Sequence, residues 1–295
     1  MKKLSISKIL GLLLVLLMVG ELAYSLTQTE VTSKQQGETI QLVHNPWDTE
    51  VASTNVIGLV LEEAGYNVRL VSVDNAIMFE SVATGESDAL TAAWLPITHG
   101  SIFSSYADQV VDLGPNLDGA RSGLVVPSYM EIDSIDELDQ QAEQNIIGIE
   151  PGAGIMIQTE LVMEEYDNLN DWTLESPSTG AMLALLKDAL NNEEDIIITG
   201  WTPHWKFQRY GLKFLEDPLN VYGESEQIHT LVRHGLKEDM PEAYQILDNF
   251  FWTVEDMESV TLEMENGVTE RQAAQNWLDQ NRDKVDQWLA ELPEN

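Results

Sequence analysis

From residue 39 onward the apolar positions switch repeatedly between a period of two and a helical period, as in chains that alternate strands with helices. Residues 40–44 form a short apolar run. Residues 48–64 follow with helical spacing that Asp48 or Thr49 can cap and Gly65 can end. Residues 66–73 alternate like a strand, 74–83 read as a helix capped by Asp74, and 89–94 form a strand of small residues running into Leu95-Pro96. A buried strand is expected at 122–127. A second series begins at 134, where the spacing of Ser134 and Glu137 predicts a capping box and a helix. It continues with a strand at 145–150, a helix at 155–166, a helix to 191 capped by Ser178 or Thr179, and a strand at 195–201. Residues 228–233 make one more apolar strand. The pattern is then helical, over 240–251, 255–265, 269–280 and 282–291.

Strands separated by helices build βαβ units and a mostly parallel sheet. Two such series, bridged by two strands, predict an α/β molecule of two lobes. Lobe one is expected to comprise 39–124 and 231–295, and lobe two 125–230. The hinge strands are expected near 122–127 and 228–233, around Val125 and Thr230.

Ahead of this region the pattern changes character. Lys2, Lys3 and Lys8 precede an apolar run over 9–19, and Ala23-Tyr24-Ser25 offers a cleavage site between small residues. The run is shorter than the ~20 residues that span a bilayer. Residues 1–25 are therefore expected to be a signal peptide, with an uncleaved anchor as the alternative. Residues 26–38 are expected to be a polar linker. The folded part is then expected outside the cytoplasm, in the periplasm.

Charge and composition narrow the partners. The chain of 295 residues carries 50 Asp and Glu against 15 Lys and Arg, a net charge of −35. That excess argues against nucleic acid and against docking on an anionic lipid surface. It also repels itself unless salt screens it, which points to a saline setting. There is no cysteine, so disulfides, thiolate chemistry and a lipid-bearing cysteine are excluded. An apolar share of 43% argues against disorder.

The candidate chemistry stands at the strand ends, where open α/β sheets hold their ligands. Trp47 follows the first strand, Trp94 ends the third, and Trp201 ends the strand at 195–201. Three indoles at matching positions suggest a cage for a cation; the alternative is packing within or between lobes. A quaternary ammonium suits such a cage, because it offers no N–H donor and loses little hydration. Pro151-Gly152-Ala153-Gly154 turns into a helix, so the N–H groups at Gly154 and Ile155 can hold an anion, unless the turn is merely tight. His99, five residues past Trp94, can donate to that anion; His204 and Trp205 lie behind Trp201, and Ala153 beside the turn. The guest is expected to be a zwitterion of betaine type, in a site with no fixed charge of its own. No metal-ligand spacing, cofactor fingerprint or nucleophile motif is present, which weighs against an enzyme acting on a quaternary amine.

Four segments carry a resemblance. They are Trp47-Asp48-Thr49-Glu50-Val51-Ala52-Ser53-Thr54-Asn55, Ala93-Trp94-Leu95-Pro96, residues 147–156, and Thr199-Gly200-Trp201-Thr202-Pro203-His204-Trp205. With them the chain from about 39 to 291 resembles the substrate-binding proteins of glycine betaine ABC transporters. The resemblance implies a two-lobed periplasmic-binding-protein fold of type II, in which the lobes close like a flytrap. It implies an ammonium cage of Trp47, Trp94 and Trp201, and a carboxylate site at Gly154, Ile155 and His99. It further implies a monomer without cofactor or catalytic activity, which delivers glycine betaine, or another methylated zwitterion such as proline betaine or carnitine, to membrane permease subunits for osmoprotection. Many relatives carry a lipid-anchored cysteine that this chain lacks.

Overall fold

The computed structural model describes residues 37–290. The expected signal peptide and all but the last two residues of the expected linker lie outside the described residues. The first series runs β1 (Thr39–His44), α1 (Asp48–Glu63), β2 (Asn67–Ser72), α2 (Asn75–Ala83), β3 (Ala89–Leu95) and a short α3 (Gly100–Ser104) into the long strand β4 (Val110–Pro127). The second series is β5 (Asn145–Ile147), α4 (Gly154–Glu165), β6 (Thr173–Glu175), α5 (Thr179–Asn192), β7 (Ile197–Thr202), α6 (Lys206–Arg209) and β8 (Leu212–Phe214). Strand β9 (Glu226–Arg233) returns the chain. Helices α7 (Leu236–Asp239), α8 (Pro241–Asn249), α9 (Val254–Glu265), α10 (Glu270–Gln280) and α11 (Arg282–Trp288) follow.

The strands form two sheets joined through one member. The first has the order β2-β1-β3-β9-β4, and the second β4-β7-β5-β6 with β8 also on β4. Pairing is parallel among β1, β2 and β3 and among β5, β6 and β7, but antiparallel wherever β4 or β9 takes part. The sheets are therefore mixed. Helix α1 lies on the first sheet with α9 and α10 across its other side. It is buried nearly all round, which suits its run of Val, Ala, Ile and Leu.

Strand β4 changes partners midway. Up to Ala120 it pairs with β9, and from Arg121 it pairs with β7. The strand thus passes from one sheet to the other at 120–121. Strand β9 pairs with β3 and β4, within the first sheet. The first half of β4 escaped sequence reading because its ladder is repeatedly bulged, with Pro115 in it and positive φ at Gly114 and Gly119.

Other expectations fail for local reasons. The capping box at Ser134 does not form: its hydroxyl turns to Asp136, and the Glu137 carboxylate accepts from the Asp133 N–H at 2.8 Å. Only a short 3-10 turn at Ile135–Glu137 results. Helix α1 is N-capped by Trp47, because Asp48 reaches across to Trp205 and Thr49 donates to Glu50. By contrast, Ser178 caps α5 as expected, accepting from the Ala181 N–H at 3.2 Å.

Candidate functional site

The carboxyl end of β3, the turn after β1, the end of β7 and the start of α4 converge between the lobes. They line a cavity with about 320 Å³ of empty space. Trp47, Trp94, Trp201, His99, Gly154 and Ile155 all line it, and Ala153 stands beside them. Sequence reasoning thus selected seven residues that meet at one place.

Trp94 is buried and donates its indole N–H to Glu50 Oε1 at 2.7 Å. Its backbone N–H donates to His99 Nδ1 at 3.1 Å. That bond fixes the imidazole proton on Nε2. Burial pushes the His99 pKa down to about 4, against a backbone hydrogen bond at Ala92. His99 is therefore a neutral donor, not a cation. Trp47 is half-buried, and its indole N–H crosses between lobes to Glu150 Oε2 at 3.2 Å. Thr179 holds the same carboxylate through its N–H at 2.8 Å and its hydroxyl at 2.7 Å. Burial alone would raise the Glu150 pKa, but these donors outweigh it and keep it below its ordinary value.

Gly154 opens α4, with Ala153 as N-cap. The first N–H groups of a helix have no partner inside it and carry the positive end of its dipole. A Cβ at Gly154 would lie 2.2 Å from the Thr98 carbonyl oxygen and 2.7 Å from Thr98 Cγ2. Thr98 belongs to the first lobe, so only glycine lets the lobes come this close. Thr98 is itself held by Glu226 at the start of β9, which accepts from its N–H at 2.9 Å and from its hydroxyl. Its hydroxyl also lies 3.1 Å from Ser122 Oγ. The contact between lobes is thereby tied to the strands where the sheets join.

His204 and Trp205 do not line the cavity. The His204 ring meets Trp201 edge-on, centroids 5.1 Å apart, and sits between it and Trp205. Trp205 donates its indole N–H to Asp48 Oδ2 at 2.7 Å, a second bond between lobes. Behind Trp201 lies a residue that sequence reasoning missed. Lys206 is fully buried, with Nζ 4.1 Å from the Trp201 ring centroid. Burial lowers its pKa well below the ordinary value, against the pull of Asp48.

Glu50 is the second residue missed. It lines the cavity at 2% exposure, so the site does contain an ionisable carboxyl group, contrary to expectation. Burial raises its pKa to about 7, opposed by hydrogen bonds from Thr49 and Trp94. Its position three residues after Trp47, on the first turn of α1, was the available signal. Among the described residues, no cluster of three or more His, Asp or Glu could hold a metal ion.

Two α/β lobes with a small cavity between them, entered from both by strand ends and a helix N-terminus, define the type II class of solute-binding proteins. Within it the chain belongs to the OpuAC family, described as the substrate binding domain of ABC-type glycine betaine transport systems, which matches residues 38–280. The lactococcal OpuAC crystal structure, closed and complexed with glycine betaine, superposes with a TM-score of 0.85 at 47% identity, covering 86% of this chain and 100% of that one. The glycine betaine/L-proline-binding protein ProX of Borrelia burgdorferi gives 0.83 at 34% identity, covering 86% and 97%. The glycine betaine/carnitine transport binding protein GbuC of Listeria monocytogenes is 50% identical over 170 residues, 57% of this chain. That match spans 56% of the length of GbuC.

Proposed function

We propose that this protein captures glycine betaine outside the cytoplasm and delivers it to the membrane permease subunits of an ABC transporter. The observation that carries this reading is the cavity lined by three indoles from two lobes, by the N-terminus of α4 and by His99. Each indole face contributes ~0.5–2 kcal/mol toward a desolvated cation. The N–H groups at Gly154 and Ile155, with His99, suit a carboxylate and use no basic side chain. The reading needs no catalytic residue and no cofactor. Lobe one would hold Trp47 and Trp94, on 37–120 and 226–290; lobe two would hold Trp201 and the start of α4, on 121–225.

Each lobe offers only part of the cage and part of the carboxylate site, so the ligand gains its full set of contacts only on closure. That differential affinity shifts the population to the closed form, which would dock on the permease. The bonds from Trp47 to Glu150 and from Trp205 to Asp48 form across the lobes and add to closure. The protein would act as a monomer, and the surplus of acid would be screened by external salt.

Isothermal titration with glycine betaine, carnitine and choline tests the reading. Glycine betaine is expected to bind tightly, and choline weakly because it has no carboxylate for α4. Carnitine is included because the Listeria relative is named for it. Absence of heat with glycine betaine overturns the proposal; tighter binding of carnitine reassigns the ligand within the same class.

A further inference from the structure

We propose that Glu50 is a specificity-determining residue of the cage, supplying the negative charge that selects a cationic headgroup over an uncharged one of the same shape. This inference rests on the reading above and deepens it. Indole faces alone favour a cation modestly, since they also welcome apolar groups of equal size. A carboxylate within the same wall discriminates far more sharply, because a neutral guest gives it nothing in return.

The surroundings of Glu50 leave that role open. Its Oε1 accepts from Trp94 Nε1 at 2.7 Å and its Oε2 from Thr49 Oγ1 at 2.6 Å, both neutral donors. None of the ion pairs among the described residues includes it. Asp48, on the same helix, opposes its ionisation. His99 shares the cavity but is neutral, and Glu150 is engaged by Thr179 and Trp47. Lys206 stands behind Trp201, on the other lobe. A buried carboxylate without a cationic partner is costly. Here the carboxyl lines the cavity, so the missing counter-charge is the guest's own. A cation entering that space stabilises the ionised form; with a carboxyl poised near 7, closure over the cation releases a proton at neutral pH.

Glu50→Gln separates charge from support, since an amide oxygen can still accept from Trp94. The readout is the ratio of affinities for glycine betaine and for 3,3-dimethylbutanoate, its isostere with carbon in place of the ammonium nitrogen. The wild type is expected to prefer glycine betaine strongly, and Glu50→Gln to cut that ratio by about tenfold or more. A role confined to orienting Trp94 would weaken both ligands together, and an unchanged ratio overturns the inference. Should the variant not fold, the wild type answers alone. Between about pH 8 and about pH 6 the ratio should fall as Glu50 takes up its proton, and a constant ratio overturns the inference. Failure of the wild type to bind glycine betaine overturns the functional reading and this inference together. Binding with an unchanged ratio overturns this inference alone.

Discussion

Trp94 and Trp201 occupy matching places on opposite lobes. Each ends a strand, each is followed by an X-Pro bond, and each has a histidine a few residues on. Their surroundings differ in charge. The Trp94 indole N–H is held by a buried carboxyl, Glu50, whereas the Trp201 face is covered by a buried amine, Lys206. Lobe one therefore brings a partner for a cation, and lobe two brings the helix N-terminus that suits an anion. The histidines diverge too. His99 uses Nδ1 to accept from the Trp94 N–H and lines the cavity, while His204 accepts from the Lys206 N–H at 3.2 Å and packs behind Trp201. The two halves are complementary rather than equivalent. A zwitterion is satisfied only when they face each other.

The most direct way to break this arrangement is to hold the halves apart. Gly154 sits at the first position of α4 with a φ that is not positive, so alanine suits the helix itself and should favour it. What alanine cannot do is share space with the Thr98 carbonyl, 2.2 Å from its Cβ. The obstacle is backbone and cannot rotate away. Gly154→Ala is expected to weaken glycine betaine by about a hundredfold, ~2.8 kcal/mol, without loss of thermal stability in the ligand-free protein. Small-angle scattering should show the variant remaining extended when the ligand is added. Affinity within about threefold of wild type would mean that this contact is not needed for binding.

Removing single indoles should cost less and should distinguish the lobes. Trp201→Ala takes away one cage wall, worth ~0.5–2 kcal/mol of cation contact plus some apolar burial. Trp94→Ala takes away the same and also strips Glu50 of its indole donor, leaving a buried carboxyl with less to hold it. Titration calorimetry should therefore find losses of about tenfold or more in both, larger for Trp94→Ala. Equal losses would mean that the two lobes do not differ in this way.

The parts of this design that sequence reveals are those with local signatures. The helices and most strands follow from uninterrupted periodicity, and Trp47, Trp94, Trp201, His99 and Gly154 follow from their places at strand ends and at a Gly-rich turn. The two ionisable residues that set the lobes apart have no such mark. Glu50 stands in the first turn of a helix, where acids are ordinary because they favour the helix dipole, and it is one of 50 acids. Lys206 follows Trp205 in a polar stretch and reads as a solvated cation. Both acquire meaning from burial against another element, which depends on tertiary packing. The same holds for the strand that joins the sheets: Gly114, Pro115 and Gly119 look like a loop, and only pairing with β9 makes 110–120 a strand.

Lys206 offers the smallest expected effect and the finest test of the asymmetry. A charged amine behind Trp201 would compete with the guest for the same indole, but burial favours its neutral form. Replacing it by the similarly shaped methionine should change glycine betaine affinity by less than about threefold. Stability should respond instead. An amine whose pKa is lowered on folding binds fewer protons folded than unfolded, so between its folded pKa and the unfolded value of ~10.4 stability rises with pH. Lys206→Met removes that penalty. The variant should be more stable than wild type at neutral pH by about 1 kcal/mol or more in urea unfolding, and the gap should narrow toward pH 10. A gap that stays constant with pH would mean that Lys206 keeps its proton behind Trp201. The guest would then share that indole with a second cation, and the charge difference between the lobes would be part of what limits affinity.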